Sequence, residues 1–206
     1  MNQSRSFLTA VFVCTLLLAA SLSTVAQPEA KPLEPSFDVS LQLLIGSNDA
    51  AGRVELPGNL ANVSRQLRGI FPFSNYRLAS TLLGRVSNTG NYEYKSLTNI
   101  FGEESNLASQ TFLEWSLREF RTVPTAKGAP GFQAQGFRFG ARVPVTTGSV
   151  KDDTGKLNPT IAYEAIGLNL VKLGLPENEP TLIGTLNLPG ANGTIFLIMT
   201  VRSADM

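Results

Sequence analysis

Four strand-like runs lie between residues 137 and 201, and glycine or proline interrupts the chain around each of them. The runs are Phe139–Gly148, Tyr163–Leu170, Glu179–Leu186 and Ile195–Thr200. Short apolar runs that are separated by turn residues at this spacing are typical of antiparallel β structure. The last run is apolar without alternation, so it is either covered on both faces or in contact with lipid. These four runs predict a fold that is built mainly from strands.

The first 26 residues have the three parts of a secretory signal peptide. Arg5 gives a positive start, an apolar run follows from Phe7 to Ala20, and small residues precede Ala26. The apolar run is shorter than the roughly 20 residues of a membrane-spanning helix, so we expect cleavage rather than anchoring. The sequence therefore predicts a protein exported to the periplasm or outer membrane of a Gram-negative-type bacterium.

The remaining chain divides into a short leader and one domain. Pro28, Pro32 and Pro35 lie among polar residues in the segment 27–36, which predicts an extended leader. Residues 37–206 are enough for a single β-rich domain with its own core.

The composition excludes several kinds of chemistry. Cys14 is the only cysteine, it lies in the apolar run, and the chain has no histidine. Residues 27–206 therefore form no disulfide, no Cys/His zinc site, no Ser–His or Cys–His couple and no histidine pH switch. The formal net charge is +1 and no basic cluster is present, so we expect no nucleic-acid partner.

Only carboxylates remain as candidates for acid/base or metal chemistry. Asp152 and Asp153 have no third carboxylate at a useful loop spacing and no glycine pattern of a calcium loop. The Glu103–Glu104 pair, Glu177 and Glu179 lie in loops bounded by glycine or proline, where solvated charge is the simpler interpretation. We therefore expect no enzyme activity, no catalytic residue, no metal and no cofactor.

The first third of the domain contains one strand and one helix. Apolar and polar residues alternate from Phe37 to Ile45, which predicts a strand with one buried face. Between Asn59 and Phe71 the period lengthens to that of a helix, with Asn59 as its N-cap. Arg65 and Arg68 lie off the apolar stripe and are expected on a solvated face.

Three further segments complete the predicted order of elements. Residues 76–86 and 92–95 alternate around the turn Asn88–Asn91, which predicts a hairpin. Residues 106–121 fit a strand or a helix, and strand is favoured because strands are predicted on both sides. A change in the apolar phase predicts a bulge near Gly136 in the following strand. Polar turns are predicted at 151–156 and 189–193.

The sequence therefore predicts a mainly β (α+β) domain, namely an antiparallel twisted sheet or sandwich with one short N-terminal helix. In such a domain the unpaired strand edges must be covered, closed or paired with another chain.

Four motifs within these strands resemble the core β domain of bacterial secretins, the outer-membrane channels of type II and III secretion and of type IV pilus systems. The motifs are Arg142–Gly148, Tyr163–Leu170, Pro180–Gly184 and the apolar strand 195–200. In that family a valine-proline-valine strand and a tyrosine-glycine-hydrophobic strand precede a threonine-valine-glycine-glycine hairpin. The resemblance implies a structural channel component that assembles through its strands into a double β-barrel.

The motifs also depart from that family. Thr185 follows Gly184 where secretins usually have a second glycine, and a five-residue turn replaces the proline-rich lip. The sequence before the motifs is too short for the chain of periplasmic ring domains that precedes the core in secretins, so we expect none. A diverged or shortened relative of secretins is therefore expected, rather than a complete channel.

Two non-enzymatic functions follow from these observations. The first is a structural or assembly protein of the cell envelope that contacts a protein partner or another copy through strand edges, with possible contact to the outer membrane. The second is a soluble periplasmic domain that binds a protein, a peptide or a small ligand. Four aromatic residues would line such a site or belong to the core, and the core is favoured. They are Tyr76, Tyr92, Tyr94 and Trp115.

Overall fold

The computed structural model describes residues 34–48, 56–98, 110–124, 128, 130–187 and 193–204. The predicted signal peptide, most of the leader, Glu103–Glu104 and the turn at 189–192 lie outside these residues.

The strands are β1 (Ser36–Ser47), β2 (Asn75–Ser87), β3 (Tyr92–Thr98), β4 (Thr111–Arg118), β5 (Arg121–Pro124), β6 (Pro130–Lys151), β7 (Leu157–Pro176), β8 (Thr181–Asn187) and β9 (Gly193–Ser203). A 3-10 turn at Gly58–Leu60 leads into helix α1 (Ala61–Ile70). The predicted mainly β fold with one short helix after the first strand is confirmed.

The strands form two antiparallel sheets. Sheet A has the order β2-β1-β9-β8. Sheet B has the order β3-β4-β6-β7, and β5 continues the line of β4 along the same edge of β6. Residues 111–118 are therefore a strand, as the sequence favoured.

The main core lies between the two sheets. Sheet A contributes the apolar side chains of β1 and β9, while sheet B contributes aromatic rings from β4 and β6. Phe37 of β1 lies 5.0 Å from Phe132 and 5.6 Å from Phe120, measured between ring centroids. The fold is therefore a sandwich, since one apolar cluster joins both sheets.

Helix α1 covers the opposite face of sheet A. Val63 and Leu67 of the helix, with Leu60 of the 3-10 turn, pack on Leu44, Phe196 and Ile198. Alternate residues of β9 thus face the sandwich core and the helix, and the strand is buried from Thr194 to Val201. Of the two alternatives for this apolar strand, cover on both faces is the observed one. Within the described ranges no helix is long and apolar enough to cross a membrane.

Two local predictions are wrong. Asn59 is not the N-cap, because the 3-10 turn places Leu60 at that position without a side-chain hydrogen bond. The turn Asn88–Asn91 does not close a hairpin, because β2 belongs to sheet A and β3 to sheet B. The turn instead crosses the sandwich. It is held there because the Asn88 and Asn91 side chains accept hydrogen bonds from the backbone of Thr122 and Glu119.

Sheet B bends along a line through Gln135. Glu119 and Lys172 lie beside Gln135 on either side and have positive φ angles of 48° and 60°. Inward-facing residues normally stand two positions apart along a strand, but across this line they stand three apart. The pairs are Leu117 and Phe120, Ala134 and Phe137, and Leu170 and Leu173. The register is continuous across this line, and the shift in β6 lies between Thr146 and Gly148. The bulge predicted near Gly136 is therefore a bend that three strands share.

Candidate interaction surface

The solvent-facing side of sheet B carries a regular lattice of side chains, which we call the outer face. Strand register places residues of β3, β4, β6 and β7 in rows across it. The three rows are Glu93–Ser116–Arg138–Asn169, Lys95–Glu114–Gly140–Gly167 and Leu97–Phe112–Arg142–Ala165. Because side chains alternate along a strand, these residues share one face.

The middle row ends in two glycines that pair directly, Gly140 and Gly167, which we call the glycine trough. A Cβ atom at Gly167 would lie 2.9 Å from the carbonyl oxygen of Phe139, so a side chain there requires the backbone to shift. The Glu114 side chain lies over Gly140, since a Cβ there would be 3.1 Å from its Cγ. The trough is part of a groove of about 760 Å³ between the first and third rows.

Charged groups border the glycine trough unevenly. Arg138 pairs with Glu114 at 3.3 Å, and Lys95 pairs with Glu93 at 2.8 Å. The hydrogen bond from Lys95 lowers the pKa of Glu93, and the same bond raises the pKa of Lys95. Arg142 has no ion pair within the described part of the chain. The surface therefore combines a guanidinium that has no ion pair among the described residues with a trough that is formed by two glycines.

Large apolar side chains lie at the same end of the outer face as Arg142. Leu97 is 53% exposed, Phe112 49% and Tyr163 45%. The rings of Phe112 and Tyr163 meet edge to face at 5.8 Å between centroids. Exposed apolar residues that are grouped, rather than scattered, are typical of interaction surfaces.

Both edges of sheet B lack ladder partners among the described residues. Among these residues β3 pairs only with β4, and β7 pairs only with β6. Glu177, which follows β7, forms a single bridge to Val201. Beyond Arg142, β6 pairs with β7 alone, so residues 143–151 and 157–164 form a two-stranded ribbon. Long unpaired edges of this kind are templates for pairing with another chain.

Two similar solved structures are both secretins. One is the InvG secretin domain β-barrel of the Salmonella SPI-1 injectisome, with 12% identity, a TM-score of 0.36 and cover of 96% of this chain and 68% of that chain. The other is the Salmonella type III secretion injectisome secretin InvG in the open gate state, with 11% identity, a TM-score of 0.33 and cover of 96% and 66%. These values are low, so we draw no conclusion about fold or function from them. No protein-family model and no curated protein matches the sequence.

The four aromatic candidates for a ligand site are packed inside the domain. Tyr76 lies in the cluster beneath α1, and Trp115 lies in the sandwich core. Tyr92 and Tyr94 pack against that core, with the ring centroids of Tyr92 and Trp115 4.6 Å apart. Burial raises the pKa of both Tyr76 and Tyr92. These residues do not line a common site, and the core placement favoured by the sequence is the observed one.

Two of the acidic candidates, Asp152 and Glu177, hold a turn and a strand end. Asp152 accepts hydrogen bonds from the Thr154 hydroxyl, from the backbone of Thr154 and Lys156 and from the Asn158 amide. Glu177 accepts a hydrogen bond from the Ser203 hydroxyl at 2.5 Å and thereby joins the end of β7 to β9. Within the described ranges no three acidic residues converge as metal ligands would.

The glycine trough was not predicted from the sequence. Arg138, Gly140 and Arg142 stand at alternate positions, and in a strand such residues share one face. That spacing is a signal that Arg138, Gly140 and Arg142 lie together on the outer face, opposite the apolar residues between them. The pairing of Gly140 with Gly167 was not available, because it depends on the register between β6 and β7.

Proposed function

We propose that this protein is a non-enzymatic structural component of a bacterial envelope secretion or pilus system, related to the secretin core. It assembles with copies of itself through the two edges of sheet B. The observation that carries this proposal is that β3 and β7, the outermost strands of one sheet, both lack a ladder partner among the described residues.

The direction of the strands supports assembly from head to tail. Within sheet B each neighbour is antiparallel to the next, so β3 and β7 run in opposite directions. If β3 of one copy is placed beside β7 of the next copy, the sheet continues with antiparallel pairing throughout. Repetition of such a heterologous contact gives a ring when its rotation closes.

The N-terminal segment supports the proposed location. We propose that residues 1–26 are a cleaved signal peptide, that residues 27–36 are a leader, and that residues 37–206 act in the periplasm or at the outer membrane. The four motifs that resemble secretins lie in β6, β7, β8 and β9, and thus include one of the strands that would pair between copies.

The direct test is the mass of the full chain after export to a bacterial periplasm. Cell fractionation followed by light scattering on a sizing column is expected to give a discrete oligomer. Leu97→Lys on β3 is expected to weaken the oligomer, because lysine on an edge strand opposes pairing. Leu83→Lys, at an exposed position in sheet A, is the matched control. A monomer at all concentrations contradicts the proposal.

A second candidate function is binding of a protein, peptide or small ligand by a monomer in the periplasm. The groove of about 760 Å³ on the outer face favours it, because its walls combine apolar side chains with Arg138 and Arg142. A soluble monomer that retains a partner in a pull-down would support this second function.

A further inference from the structure

We propose that sheet A binds a phosphate group in a groove beside the start of α1, where Arg202, the Thr200 hydroxyl and the first amide groups of the helical segment hold it. This inference goes beyond the proposed function, because it concerns sheet A and does not depend on assembly through sheet B.

The groove lies on the helix-facing side of sheet A, beyond the part of the sheet that α1 covers. Two neighbouring rows of paired residues line it, Arg85–Asp38–Arg202 and Leu83–Ser40–Thr200. Because side chains alternate along a strand, these rows share the face on which Leu44 and Phe196 pack beneath the helix. Asn59 of the 3-10 turn also lines the groove, whose volume is about 480 Å³. Strand residues and the beginning of the helical segment therefore meet at one place.

The charges in this groove leave one guanidinium over. Arg85 binds both carboxylate oxygens of Asp38, with its Nε 2.7 Å from Oδ1 and its Nη2 3.2 Å from Oδ2. Arg202 lies on the other side of Asp38 in the same row and has no ion pair among the described residues. The described groups of the groove thus carry an excess of positive charge, which favours an anionic ligand.

The start of the helical segment adds N–H groups to the same groove. The 3-10 turn runs directly into α1, and its first hydrogen bond joins Leu60 N to Pro57 O at 2.8 Å. The amide groups of Gly58 and Asn59 therefore precede helical bonding. Among the described residues no side chain caps the turn or the helix, and no acidic residue lies in the first turn of either. Such an end has partial positive charge and unbonded N–H groups, and both favour a phosphate group.

Thr200 supplies an independent observation at this place. It is 5% exposed and lines the groove, and its hydroxyl oxygen has no hydrogen-bond partner among the described residues. A buried polar group without a partner destabilises a protein unless something binds it. A threonine hydroxyl donates one hydrogen bond, so it suits an anion that accepts. Ser40, its partner across the ladder, offers a second hydroxyl in the same groove.

This combination favours a phosphate group over a carboxylate. The donors come from β1, from β9 and from the helical segment, so they reach the ligand from several sides, and the three or more oxygens of a phosphate accept from several sides. Leu83 is 70% exposed at the groove and provides apolar surface for the organic part of the ligand. The ligand is therefore a phosphate ester, either a small soluble molecule or the headgroup of an anionic phospholipid.

Titration with inorganic phosphate tests the site in protein purified from a bacterial periplasm. At constant ionic strength, the amide NMR signals of Asn59 and Thr200 are expected to shift and saturate. Arg202→Gln and Thr200→Val are each expected to raise the Kd about fivefold or more, because one removes the charge and the other the hydroxyl. Arg202 is exposed, so Arg202→Gln should leave the fold intact even if Thr200→Val does not.

Arg68→Gln is the control for general attraction of anions, because Arg68 is an exposed arginine near the other end of α1. It should change the Kd by less than about twofold. Shifts that do not saturate, or equal losses in Arg202→Gln and Arg68→Gln, overturn the site.

Two further probes distinguish the sources of the phosphate group. Sedimentation with phosphatidylglycerol vesicles that is lost in Arg202→Gln assigns the site to a lipid headgroup. Saturable binding of glycerol 3-phosphate without sedimentation assigns it to a soluble phosphate ester. If neither probe binds, the proposal of a phosphate ester is wrong.

Discussion

Leu168 of β7 fills the space that Gly184 of β8 leaves open, so the two sheets interlock at this pair. A Cβ atom at Gly184 would overlap the Leu168 side chain. Gly184→Val is therefore expected to lower the free energy of unfolding by about 1–3 kcal/mol, because an overpacked core must shift its side chains or backbone. Urea unfolding of the purified domain measures this loss.

Gly174→Ala is the control for that substitution, because a Cβ at Gly174 meets no atom within 4 Å. It should change the stability by less than about 0.5 kcal/mol. Equal losses in Gly184→Val and Gly174→Ala would show that the contact between the sheets is not the cause.

Val143 and Val150 lie on the same strand in opposite environments. Val143 is 3% exposed and Val150 is 64% exposed. Val143→Asp is expected to destabilise the domain by about 3–5 kcal/mol, because it places a charge without a partner in the core. Val150→Asp should be nearly neutral. The midpoints of thermal unfolding compare the two variants, and similar midpoints would mean that β6 does not contribute Val143 to a core.

Asn91 holds a strained residue in place. Its side-chain oxygen accepts a hydrogen bond of 2.8 Å from the backbone nitrogen of Glu119, whose φ angle is 48°. Asn91→Ala is expected to cost about 0.5–1.5 kcal/mol, since it removes this exposed hydrogen bond. Asn91→Asp retains an acceptor and should cost less. If chemical denaturation gives the same loss for both variants, the hydrogen bond is not what Asn91 contributes.

Asp152 should titrate below its ordinary pKa of 3.8, because the Thr154 hydroxyl and backbone and side-chain groups of the same turn donate to its carboxylate. A lowered pKa in the folded state means that Asp152 stabilises the fold above its unfolded pKa, and that this contribution is lost as pH falls through the folded value. NMR titration of the carboxyl carbon measures the midpoint. Thr154→Val should raise it, and a wild-type midpoint at or above 3.8 would contradict the described turn.

Local patterns in the sequence predicted the elements of the fold well. Alternation from Phe37 to Ile45 predicted β1, and the longer period after Asn59 predicted α1. Each element buries one face, so its apolar residues repeat with the period of a strand or a helix within the segment itself. The apolar run from Ile195 has no alternation, so the sequence alone allows either lipid contact or burial on both faces. The packing of α1 on Phe196 and Ile198 shows that both faces are buried, and this contact is not visible in the local sequence.

The errors concern long-range geometry. The turn Asn88–Asn91 has hairpin composition, but its two asparagine side chains accept hydrogen bonds from sheet B. Asn91 binds the backbone of Glu119, between β4 and β5, and Asn88 binds the backbone of Thr122 in β5, so the chain passes to the other sheet. No local pattern contains that information. The glycine trough could not be predicted for the same reason. That Gly140 pairs with Gly167 follows only from the register between β6 and β7.

The first and last strands of the domain lie side by side in the middle of sheet A, where Phe37 pairs with Ser203 and Ser47 with Gly193. The chain therefore joins its most distant segments in its most buried ladder, which is the kind of contact that makes folding slow. The ladder at the centre of sheet A cannot form until β9 has been synthesised. Truncation before β9 would therefore remove one of the two central strands of sheet A and separate β1 from β8.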